Sequence, residues 1–195
     1  MRLENELGIQ TDDFVFIFVG RLVKDKGINE MVSAFELLQK ENSSLKLLLV
    51  GDYENDLDPL NPKTVESINT NSSILAVGFK NDVRPYLAIA NVLVFPSYRE
   101  GFPNVVMQAG AMGLPSIVSD INGCNEIIIE QENGLIIPVK DEMAIFLAMK
   151  KMVTNSSLTS KMKDNSRQMI VSRYEQKVVW EAILSEYRTF ESLKE

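Results

Sequence analysis

Short apolar runs alternate along the chain with longer segments whose apolar positions recur every three or four residues. The short runs fall at Phe14–Val19, Leu45–Val50, Ile74–Val77, Val92–Phe95, Ser116–Ser119 and Leu135–Ile137. They are too short for helices and apolar on successive residues, which predicts strands covered on both faces. Between the first two, Met31, Phe35 and Leu38 mark one face of a helix predicted from about Ile28 to Glu41, with Glu30, Glu36 and Lys40 turned to solvent. Shorter helices are predicted at Thr64–Asn69, Val83–Ala88 and Pro103–Met112. After the last strand the helical period takes over. Glu142–Val153 and Leu158–Val171 are separated by the break Asn155-Ser156-Ser157, and a third helix runs from about Glu175 to Ser192. The alternation predicts an α/β fold: a Rossmann-like, doubly wound parallel sheet of about six strands flanked by helices, with a helical C-terminus. No repeat, low-complexity tract or linker divides residues 1–195, so one domain is expected.

Composition narrows the function classes. An apolar share of 45% and a charged share of 24% describe an ordinary globular chain. No apolar run approaches the ~18 residues of a membrane span and no signal-peptide pattern opens the chain, so a cytoplasmic location is expected. A single cysteine, Cys124, rules out an internal disulfide and is expected to pack in or near a loop. Three sequons, at Asn42, Asn71 and Asn155, read as polar turns. The formal charge of −7 argues against nucleic acid as a partner. The chain has no histidine. Its own chemistry must therefore use Arg, Lys, Glu, Asp or backbone amides.

Small and polar residues close the predicted strands: Gly20, Gly51-Asp52, Gly78-Phe79, Ser97 and Ser119-Asp120. Ligands of open α/β sheets bind at these ends, near the point where strand order reverses. Two segments there can carry chemistry. In Gly20-Arg21-Leu22-Val23-Lys24-Asp25-Lys26-Gly27, two cations flank a strand-end loop, enough to neutralise a diphosphate. Gly20 and Gly27 would permit close backbone approach. Read alone, the segment is more readily a solvated basic loop. It lacks the GxGxxG of a dinucleotide turn, which counts against a dehydrogenase.

In Ser97-Tyr98-Arg99-Glu100-Gly101-Phe102-Pro103-Asn104-Val105-Val106-Met107-Gln108, a glycine turn leads to Pro103 at an expected helix start. The free amides there, with roughly half a positive charge from the helix dipole, make an anion site. Val105, Val106, Ala109 and Met112 are expected to face the sheet, with Gln108 in the second turn. Read alone, this is as readily a glycine turn and a capped helix. Asp56-Leu57-Asp58 spells a metal-holding DxD but lies in an Asp/Asn/Pro-rich stretch, and a solvated acidic loop is expected.

Taken in order, the strings FVGRLVKDKG, LLLVGD, VGFKNDV, VFPSYREGFPNVVMQAGAMGLPSIVSD, INGCNEII and ENGLIIP resemble the family 4 retaining glycosyltransferases of GT-B fold. The resemblance covers nearly the whole chain as the C-terminal, donor-binding domain, and the wording is most similar to bacterial surface-polysaccharide enzymes. It implies that Arg21 and Lys26 meet the donor diphosphate and that Glu100 lies beside the transferred sugar. It further implies that Gly101, Phe102, Pro103, Asn104 and Val105 form the turn and helix start whose amides hold phosphate or sugar oxygens. Phe79, Lys80 and the loop to Val83 would meet the nucleobase, and Gly20 would admit the donor.

Gln108 stands where the family more often has a second acid. An amide still donates to and accepts from a ribose hydroxyl, but carries no charge. The donor implied is a nucleotide-diphosphate sugar, UDP-linked by its frequency among similar enzymes, with no metal or other cofactor.

Family members are roughly twice this length, so the resemblance implies a chain lacking the N-terminal acceptor domain. The acceptor, a glycan or lipid-linked saccharide, would belong to that domain. Donor binding with little sugar transfer is expected of the chain alone, and membrane-peripheral placement of the full-length protein stays open. Trp180, Ile183, Leu184 and Tyr187 form a stripe expected to pack on this domain. Any exposed part would be an orphaned interface prone to self-association. Two other readings remain: a related epimerase or phosphorylase, against which the Glu100–Gln108 segment argues, and a noncatalytic nucleotide-sensing or scaffold domain.

Overall fold

The computed structural model describes residues 2–54, 56 and 58–192, and the side chains of all of these but 2 and 192. Six strands form one sheet: β1 (Phe14–Val19), β2 (Leu45–Val50), β3 (Ile74–Ala76), β4 (Val92–Phe95), β5 (Ser116–Ser119) and β6 (Gly134–Ile137). Their order is β3-β2-β1-β4-β5-β6, and every pairing is parallel. β1 and β2 run in register over their full length, Phe14 opposite Leu45 and Val19 opposite Val50. Phe16, Ile17, Phe18, Leu47, Leu48, Leu49, Val92, Leu93 and Val94 are fully buried. Helices on both faces favour apolar residues along the strands, and the polar exceptions are Lys46 in β2 and the buried Ser116 and Ser119 at the ends of β5.

The helices are α1 (Arg2–Glu6), α2 (Ile28–Gln39), α3 (Pro62–Thr70), α4 (Arg84–Ala88), α5 (Asn104–Ala111), α6 (Cys124–Ile127), α7 (Glu142–Thr154), α8 (Ser156–Tyr174) and α9 (Gln176–Ser192), with a 3-10 turn at Lys24–Lys26. α2 buries Met31, Phe35 and Leu38, the predicted face, and packs on α7. Each of these side chains contributes about 2 kcal/mol of transfer free energy. α5 packs on α8. Asn155 ends α7 and caps α8, its Oδ1 accepting the Leu158 N–H at 3.1 Å. Asn42 and Asn71 each accept the N–H two residues on, at 3.0 Å. All three sequons are thus polar turns or caps.

Several expectations change. α1, α6 and the 3-10 turn were not foreseen; each is five residues or fewer, too short to show a period. Pro103 sits one residue before α5, in extended backbone, rather than at its first helical position. Met112 lies beyond the end of α5 and is 40% exposed, so it does not face the sheet. One contiguous core joins all six strands to α2, α5, α7 and α8. α9 contributes nothing to it: every residue from 175 to 191 is exposed. The stripe of Trp180, Ile183, Leu184 and Tyr187 therefore does not pack on this domain. Of the sequence features read above, Leu57 lies outside the described residues. No helix among the described residues is long and apolar enough to cross a membrane.

Candidate functional site

All six strands are parallel, so their carboxyl ends share one edge. β1 passes to β2 and β3 on one side, while β4 to β6 extend the other, which puts the reversal point between β1 and β4. At this point the loop after β1 meets the loop after β4, Tyr98 N–H donating to the Asp25 carbonyl at 2.8 Å, and on its other side the loop after β2, Leu22 N–H donating to the Asp52 carbonyl at 2.8 Å.

A cavity of about 400 Å3 opens beside it, lined by Gly20 and Arg21 after β1, by Asp52, Tyr53 and Glu54 after β2, and by Phe79, Lys80 and Val83 after β3. That volume suits a small-molecule ligand. Five residues named from the sequence therefore share one cavity: Gly20, Arg21, Phe79, Lys80 and Val83. Of its β2-side wall, Gly51 and Asp52 were read only as a strand end, and Tyr53 and Glu54 were missed. The signal was present in the Gly-Asp that closes LLLVGD, yet nothing in one sequence says which loop leans on which.

Asp52 holds the far wall, its Oδ1 accepting the Phe79 N–H at 2.9 Å. The Phe79 ring stays 65% exposed. Lys80 Nζ lies 5.9 Å from the centre of the Tyr86 ring. The Tyr53 hydroxyl is buried without a hydrogen-bond partner among the described residues, and burial raises its pKa. Arg21 forms an ion pair with Glu54 at the cavity wall.

On the β4 side, Lys26 Nζ donates to Glu100 Oε1 at 2.5 Å, both side chains being mostly buried. The Lys26 ammonium also lies 5.9 Å from the centre of the Phe95 ring. The left-handed Gly27 permits this approach of the β1 and β4 loops: a Cβ there would stand 2.2 Å from the Pro96 carbonyl oxygen. The closeness foreseen at Gly27 thus serves another part of the chain. Gly101, Phe102 and Pro103 form the turn into α5 and abut Gly123, where a Cβ would stand 2.3 Å from the Gly101 carbonyl oxygen. The Phe102 ring meets Tyr174 edge-on at 5.5 Å. Asn104 and Gln108 are exposed one helical turn apart on α5, and Val105 is half-buried.

Cys124, fully buried at the start of α6, has its thiol pushed up to about 12, by burial first and then by the Glu100 carboxylate, with Lys26 opposing. It was not foreseen as a neighbour of the Lys26–Glu100 pair. Glu30 is not simply solvated: its Oε1 accepts the Tyr98 hydroxyl at 2.6 Å. A second cavity of about 220 Å3, near α2 and α3, is lined by Glu30, Glu36 and Glu142 with only Lys63 as a cation, and suits no anion. No group of three or more Cys, Asp or Glu placed to hold a metal is found among the described residues.

Fold and strand-end loops together define a doubly wound α/β domain with a cavity at the carboxyl edge of its sheet. Residues 2–169 match the family described as Glycosyl transferases group 1, and the chain belongs to that family. It is 31% identical over 179 residues to the capsular polysaccharide biosynthesis glycosyltransferase CapM of Staphylococcus aureus, covering 92% of this chain and 47% of that protein. It is 33% identical over 175 residues to the UDP-Gal:alpha-D-GlcNAc-diphosphoundecaprenol alpha-1,3-galactosyltransferase of Escherichia coli, covering 88% and 44%. Among solved structures, the sucrose-phosphate synthase of Thermosynechococcus elongatus superposes with a TM-score of 0.80 at 26% identity, over 97% of this chain and 48% of that one. The chain spans about half the length of the curated relatives it matches. The resemblance read from the motifs is therefore the family found.

Proposed function

We propose that this domain binds a nucleotide-diphosphate sugar and that the full-length protein transfers the sugar, with retention, to an acceptor in surface-polysaccharide assembly. The observation that carries this is the gathering of Arg21, Phe79, Lys80 and Val83 on one cavity at the carboxyl edge of the sheet, with the Lys26–Glu100 pair joining the loops after β1 and β4 on the same edge. Cleavage of a sugar–phosphate bond leaves a nucleoside diphosphate on which negative charge grows. Arg21, Lys26 and the first-turn amides of α5 stabilise that charge more in the transition state than before it. Each such donor is worth about 3 kcal/mol, roughly a hundredfold in rate. With these cations in place the departing diphosphate needs no metal.

Glu100 holds Lys26 until a donor phosphate competes for the ammonium, and then lies beside the transferred sugar. Gly101 to Val105 border the sugar–phosphate junction, and Gln108 bonds the ribose. UDP is the preferred nucleotide: the E. coli relative carries UDP-Gal in its name. The acceptor, a glycan or lipid-linked saccharide, requires a second domain, so the 195-residue chain binds donor without appreciable transfer. A cytoplasmic location follows from the supply of nucleotide sugars there.

Calorimetry of the chain against UDP, GDP and ADP tests this reading, repeated with Arg21→Ala and Lys26→Ala. UDP binding weakened by each substitution is expected. Tight UDP binding indifferent to both would remove the diphosphate assignment.

A further inference from the structure

The loop between β2 and α3 holds Asp58, read from the sequence as part of a solvated acidic loop. The structure gives it a specific task. Its Oδ2 accepts the backbone N–H of Asp25 at 2.6 Å, and its carbonyl accepts the N–H of Lys24 at 3.2 Å. These are the first two amides of the 3-10 turn Lys24–Lys26, which its own preceding residue, Val23, leaves without a side-chain cap. From the other side the Asp25 carbonyl accepts the Tyr98 N–H at 2.8 Å and the Ser97 hydroxyl at 3.4 Å. The turn is therefore clamped between the loops that follow β2 and β4. Lys26 is its last residue.

We infer that Asp58 is a positioning residue for Lys26, capping the turn from 33 residues away and so fixing where the ammonium stands. The inference rests on the donor-site reading for its functional consequence, though not for its geometry. A carboxylate near a diphosphate opposes binding by like-charge repulsion. Its presence beside the Lys26 turn is explained by the amide it holds, since a charged acceptor on a helix-start N–H is the strong form of a cap. The loop also steadies the second cation: Leu22 N–H donates to the Asp52 carbonyl at 2.8 Å, and Glu54 pairs with Arg21. One loop thus orients both cations of the proposed site.

The test is a mutant cycle on the 195-residue chain with UDP as the probe, read by calorimetry, together with amide hydrogen exchange at Asp25 in the unligated protein. Asp58→Ala is expected to weaken UDP about tenfold. Asp58→Asn, whose Oδ1 still accepts, keeps affinity within about threefold. In a Lys26→Ala background, Asp58→Ala adds little, because its effect passes through Lys26. Exchange at the Asp25 amide rises in Asp58→Ala and stays slow in Asp58→Asn. Additive losses in the cycle, or wild-type affinity in Asp58→Ala, overturn the inference. Should the wild-type chain bind no UDP, the donor reading falls by itself. Exchange at Asp25 then decides, and exchange unchanged in Asp58→Ala overturns the positioning role.

Discussion

Lys26 and Glu100 form the most buried ion pair in the described residues, each with about 15% of its side chain exposed, and their partnership sets what substitution there does. Removing one partner strands the other charge, which costs more than the pair itself contributes. Lys26→Met is expected to destabilise the fold by about 3 kcal/mol. Adding Glu100→Gln should recover most of that loss, and urea denaturation of the two variants checks it; an undiminished loss in the double variant would show that the alkyl stem matters more than the charge. Cys124 reports on the same pocket. Its folded-state pKa stands at about 12, above the ~8.5 of an unfolded thiol. Below the lower value both states hold the proton, and nothing depends on pH. Between the two values the unfolded chain ionises while the folded one does not, so stability falls as pH rises. Wild type should lose more stability from pH 8 to pH 10 than Cys124→Ala does, in parallel denaturation curves. Equal losses would mean the thiol ionises as freely folded as unfolded.

Among the elements, α5 shows how packing fixes the site. Its Gly110 faces α8 so closely that a Cβ would stand 2.5 Å from Ile170 Cγ1. Gly110→Ala gains helix propensity yet overpacks this contact, and a net loss of about 2 kcal/mol is expected from denaturant midpoints. Ile170→Val in the same chain should return part of it. If Gly110→Ala is instead stabilising, α5 is free to shift, and the turn at Gly101 with it. The strands were legible because a sheet covered on both faces favours apolar residues in sequence, and the six runs are mostly apolar, Lys46, Ser116 and Ser119 excepted. α2 was legible through Met31, Phe35 and Leu38. The cation loop and the Glu100 turn were legible as motifs. What could not be read is contact between loops: Asp52 with Phe79, Glu54 with Arg21, and Asp58 with the Lys24–Lys26 turn join residues about thirty positions apart, through hydrogen bonds that leave no periodic trace. Asp58 was misread for that reason, since an acid in a Pro/Asn-rich loop looks solvated until its partner is known. The short α6 also escaped. Its four residues carry Cys124 under the Lys26–Glu100 pair, and neither length nor period announces it.

For the molecule as a whole, the sheet order gathers the site at one edge, while α9 presents a different surface altogether. Trp180, Ile183, Leu184, Tyr187 and Phe190 are between 48% and 65% exposed on a helix with no buried residue. Helices of this kind gain little from propensity alone and need a packed face to persist in water. An apolar stripe of five large side chains exposed on one helix is expected to bury itself against another surface. In the 195-residue chain the surface at hand is that of a second copy. Sedimentation velocity over a concentration series should show reversible association, and Leu184→Glu should shift it toward monomer. Removing residues 176–195 should abolish association and lower the melting temperature by no more than roughly 3 °C, because no core side chain is lost. A large drop in melting temperature would mean that α9 supports the fold through contacts with α8, and the stripe would then belong to the domain after all. Donor binding serves as the control that separates the two surfaces. Calorimetry with UDP should give the same affinity for the shortened chain as for the whole, since no residue of α9 lines the cavity after β1, β2 and β3.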